Sequence, residues 1–151
     1  IITDSIYWLK RAKSLGEISP VILRIQEPEI RAKKIEETLI KVELVLDESA
    51  PLQNRLKQDI NEFAQKNNQE NEKILAIDAK ILATIKNLEP QNLNELLWEK
   101  IKAQKRSAEY ASQGKIRTTL LNNVTNFDRL LRSKSLPMFN PATELRAKKQ
   151  N

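Results

Sequence analysis

The side chains able to carry chemistry are fewer here than in most chains of 151 residues, because there is no cysteine and no histidine. Thiolate nucleophiles, disulfides and Cys/His zinc sites are therefore excluded, together with imidazole, the commonest general base. Gly114-Lys115 lacks both the glycine five residues upstream and the Ser or Thr after the lysine that a phosphate-cradling P-loop requires. Ser112 and Lys115 match the Ser-x-x-Lys element of penicillin-recognising serine enzymes, yet the companion Ser-Asp-Asn and Lys-Thr-Gly runs are absent. Asn123-Val124-Thr125 is a glycosylation sequon set in the middle of an apolar helical stripe. The acidic pairs Glu36/Glu37, Asp47/Glu48 and Glu70/Glu72 show neither the ligand spacing nor the turn glycine of an EF-hand. The expectation is a protein that is not an enzyme, with no catalytic residue, cofactor or metal.

Cations are the chemistry that remains. Residues 1–75 carry 12 Lys and Arg against 13 Asp and Glu, whereas residues 100–151 carry 12 against 3. The net charge of +6 is thus concentrated in the second half of the chain. Lys100, Lys102, Lys105 and Arg106, then Lys115 and Arg117, then Arg129, Arg132 and Lys134 make a candidate surface for an anionic partner. No zinc finger, RNP aromatics or Gly-x-x-Gly loop accompanies them, and Tyr110 is the one aromatic residue between Lys100 and Arg117. A second candidate is a C-terminal anchor formed by Leu136, Met138 and Phe139 beside Pro137 and Pro141, followed by Arg146, Lys148 and Lys149.

The elements that must position these residues read as helices. Two glycines, 5 % aromatic residues and abundant Leu, Ile, Ala, Lys and Glu favour an all-α fold. Ile116, Leu120, Val124, Phe127 and Leu131 recur at steps of 4, 4, 3 and 4, one buried face of a helix. Ile35, Leu39, Val42 and Leu46 do the same, although Ile40–Leu46 also alternates as a strand would. With Asp4 as N-cap, Gly16 and Gly114 as stops, and breaks at 17–28, 47–51 and 89–92, the chain divides into about five to six helices. Trp8 and Trp98 read as partly buried core residues. The expected architecture is an antiparallel helical bundle over residues 1–135, with an N-terminal helix and linker at 1–26 and the main bundle at 27–135. An extended basic tail follows at 136–151. Around the turn expected at Gly114, Lys105 and Arg106 would approach Lys115 and Arg117.

No apolar run approaches the ~20 residues that cross a bilayer, and the N-terminus has no basic lead or long apolar core. The expected location is the cytoplasm or an intracellular or viral assembly. Three readings fit: a small structural subunit or adaptor, oligomeric or in a hetero-complex, docking through apolar helix faces and its tail; a nucleic-acid binder of little sequence specificity using the Lys100–Lys134 surface; and a helical export chaperone.

Overall fold

The structure, a computed structural model, describes residues 1–138. It is all-α, with no strand among the described residues, and Ile40–Leu46 is helical. The expected count of five to six helices is corrected to three long ones: α1 (Ile2–Ile22), α2 (Pro28–Lys86) and α3 (Leu93–Leu130). A π-helical turn (Leu131–Ser135) and a short helix, α4 (Leu136–Met138), continue directly from α3. The expected tail is thus helical in its first three residues, and residues 139–151 lie outside the described part of the chain.

The correction has a single cause. Gly16, Pro20, Pro51 and Gly114 all sit inside helices. An interior glycine costs about 1 kcal/mol relative to alanine and a proline about 3 kcal/mol, penalties that a long packed helix can absorb. Gly114 has no positive φ, and a Cβ there would meet only the Phe63 Cβ at 3.8 Å. Real breaks occur at 23–27 and at 87–92. The second is closed by Glu89 N–H donating to Thr84 O at 3.1 Å and Leu88 N–H donating to Ile85 O at 3.2 Å. Leu88 takes φ 55°, the left-handed conformation that usually selects glycine after a helix.

The chain forms two compact units, Ile1–Leu56 with Thr119–Asn151, and Lys57–Thr118. In the first, α1 runs antiparallel to the start of α2: Asp4 pairs with Arg55 at 3.6 Å at one end, and Ile18 shares a groove with Lys41 at the other. The buried positions of α1 are Ser5, Trp8, Ala12, Leu15, Ser19 and Ile22, steps of 3, 4, 3, 4 and 3 that alternate small with large. Trp8, Ala12 and Leu15 pack in one cluster with Val42, Val45 and Leu56 of α2 and with Val124 and Leu131. The Ser5 and Ser19 hydroxyls donate to the carbonyls of Ile1 and Leu15, both at 2.7 Å, so that neither is left unpaired in the core. Half of this buried face is serine or alanine. Apolar periodicity is therefore a poor guide to this face, and the large apolar side chains of Ile6 and Tyr7 are exposed.

The second unit is an antiparallel helical pair. Phe63, Asn67, Glu70, Ile74, Ile77 and Ile81 face inward at steps of 4, 3, 4, 3 and 4. On α3 the matching positions are Leu96, Lys100, Ala103, Ser107, Tyr110 and Gly114, with the same steps. This is a heptad seam, but five of its twelve members (Asn67, Glu70, Lys100, Ser107 and Gly114) are polar or glycine.

Candidate interaction surfaces

Among the described residues no group of three or more Asp and Glu side chains is placed to hold a metal ion. The acidic residues are instead drawn into ion pairs: Glu48 with Arg11, Glu37 with Lys34 at 3.8 Å, and Glu70 with both Arg106 and Lys73. Ser112 and Lys115 sit one turn apart on the exposed side of α3.

Lys105, Arg106, Lys115 and Arg117 do not meet around a turn. They follow one another along the single helix α3, so Lys105 and Arg117 are separated by about 18 Å of helix. Several of the nine candidate cations are already engaged. Lys100 Nζ lies 2.7 Å from Asp78, Arg106 Nε 3.1 Å from Glu70, and Arg132 Nε 2.8 Å from Asp128. Arg117 donates to Asp59 at 3.2 Å, with its guanidinium 4.5 Å over the Phe63 ring, and is nearly covered. Arg129 donates to Asn126 at 2.8 Å. Lys102 and Arg106 share one shallow cleft with Lys73, Lys80 and Glu99, while Lys105 points to solvent. Lys100, Arg106 and Arg117 therefore stitch the helix pair together as well as charging its surface.

Periodicity missed a surface of another kind. Within Lys57–Thr118, Leu75 is 69 % exposed, Leu82 55 %, Trp98 64 %, and Leu88, at the turn between the helices, 86 %. Ile85, Leu97 and Ile101 are exposed as well. The signal that could have found this surface was present. Residues 74–85 are apolar around most of the helix circumference, the pattern of a helix covered on all sides, yet only one seam is covered here.

Of the anchor expected in the tail, Leu136 packs against the core of the first unit and Met138 ends α4. Phe139 lies outside the described residues. No described helix is long and apolar enough to cross a membrane. Compared with protein families, curated proteins and solved structures, the chain matches none.

Proposed function

We propose that this chain is a non-enzymatic helical interaction protein, a small subunit or adaptor that docks other protein through the apolar surface of Lys57–Thr118. The observation that carries the reading is the exposure of Leu75, Leu82, Leu88 and Trp98 on one helical pair. Large exposed apolar side chains gathered on one unit mark interaction sites, and Trp is among the residues that supply most of the binding energy there. Leu88 adds weight. A leucine held at positive φ costs about 1 kcal/mol relative to glycine, and the fold draws no packing from an almost fully exposed side chain.

The nucleic-acid alternative draws less support, because Lys100, Arg106, Arg117 and Arg132 each already have a carboxylate partner. The test is light scattering of the full chain with a mixed-sequence duplex at low and moderate salt, set beside capture of partner proteins from its native source. The expected result is no salt-dependent shift with the duplex, and capture lost in Leu75→Ser/Leu82→Ser while helicity is kept. A duplex complex that weakens steeply with salt, in proportion to the phosphates neutralised, would overturn the reading.

A further inference from the structure

The outward side of α2, opposite its seam, carries a symmetric arrangement of residues. Leu75, Ala76, Ala79, Leu82 and Ala83 are all exposed there, and at 100° per residue all five lie within about 60° of Ala79. Leu75 and Leu82 fall on one flank of Ala79, Ala76 and Ala83 on the other. Glu72 and Lys86 stand seven residues before and seven residues after Ala79, both exposed and neither in an ion pair among the described residues. In an ordinary two-helix pair these outward positions are polar.

We propose that this face is covered by the same face of a second copy of the chain, with the two α2 helices antiparallel about a two-fold axis at Ala79. The proposal deepens the docking reading above and rests on it. In that arrangement Leu75 meets Leu82 of the second copy, Ala79 meets its own mate, and the alanine flanks let the backbones approach. Glu72 falls opposite Lys86 of the second copy, twice. Charge makes the choice: a parallel pairing sets Glu72 against Glu72 and Lys86 against Lys86, and only the antiparallel one neutralises both. The patch is therefore complementary to itself, as a two-fold interface requires. It is neutral although the chain carries +6, so self-association is not opposed by the local charge. The leucine flank lies away from the cleft that Ala76 shares with Lys73, Lys80 and Arg106, and Ile85 extends its apolar surface.

The experiment uses the full chain and three sets of variants, each checked for helicity. Sedimentation or light scattering across concentration should show a dimer. Glu72→Lys alone and Lys86→Glu alone should each weaken it by roughly tenfold, since two exposed ion pairs reverse sign per dimer. The double variant E72K/K86E should restore it. Because the chain has no cysteine, Ala79→Cys should form an interchain disulfide readily. Gln65→Cys, whose two copies would lie about 42 Å apart along the paired helices, should not. A monomer at every concentration, no rescue in the double variant, or equal cross-linking of both cysteine variants overturns the second copy as the occupant. Partner capture lost in Leu75→Ser/Leu82→Ser would in that case leave the docking reading standing with a different protein, and its retention would end that reading too.

Discussion

Glu70 occupies a heptad position that ordinarily takes Leu or Ile, and it is buried. Burial pushes its carboxyl pKa up, but the ion pair with Arg106 and the hydrogen bond from Lys73 outweigh this and hold it below the ordinary glutamate value. A carboxyl whose folded pKa is depressed binds its proton less readily in the folded than in the unfolded state. Its stabilising contribution is complete above the unfolded value and is lost as pH falls through the folded one. The helical pair should therefore loosen on acidification below the usual glutamate range, and Glu70→Gln should flatten that acid limb. Thermal melts of both proteins between neutral pH and pH 3 would show it. An unchanged acid limb in the variant means that Glu70 does not couple to folding. Trp8 shows the same dependence of a single side chain on its partner helix. It was expected to be partly buried, yet it is 1 % exposed, with its indole N–H donating to the Val45 carbonyl at 2.7 Å. That carbonyl belongs to a helix distant in sequence, so no local pattern around Trp8 announces it.

At the level of the helices, the all-α class and the stripes Leu39–Val42–Leu46 and Leu120–Val124–Phe127–Leu131 were legible in the sequence, because apolar residues alone mark those faces, although Ile116, read as the start of the second, is exposed. The continuity of α2 and α3 was not. Through Asn67, Glu70, Lys100, Ser107 and Gly114 the seam runs on polar or absent side chains. The Ser107 hydroxyl lies 2.5 Å from the Asn67 side-chain oxygen and 3.0 Å from that of Asn71, a polar layer that replaces apolar packing. Periodicity of hydrophobicity vanishes there while periodicity of position persists, and Gly114 and Pro51 then read as punctuation. The basic surface was misplaced for the same reason, since a turn at Gly114 was needed to fold it together. If Gly114 is simply an interior helical residue, Gly114→Ala should stabilise the protein by about 0.5–1 kcal/mol, as the new methyl meets Phe63 at ordinary contact distance. Urea titration measures it. A loss of stability would mean that the backbone at 114 needs glycine after all.

Across the whole chain, stability is unevenly distributed. The main cluster of buried apolar side chains, Trp8, Leu15, Val42, Leu56, Val124 and Leu131 among them, belongs to the unit Ile1–Leu56 with Thr119–Asn151. Within Lys57–Thr118 the buried residues are Glu70 and Ala103, the rest of the seam being half-covered. Opening free energy follows buried apolar contact, so hydrogen exchange should be slowest at amides near Val42–Leu56 and around Val124 and markedly faster at 60–85 and 95–115. Uniform protection along α2 would contradict this, and would mean that the helix opens only as a whole. Concentration separates the two units further. A second copy that binds the folded pair and not the unfolded chain stabilises it by mass action. Raising protein concentration should slow exchange within Lys57–Thr118 and leave the already protected core amides unchanged. In Glu72→Lys that concentration dependence should move to roughly tenfold higher protein concentration, which would tie the least stable part of the fold to the surface proposed for the second copy.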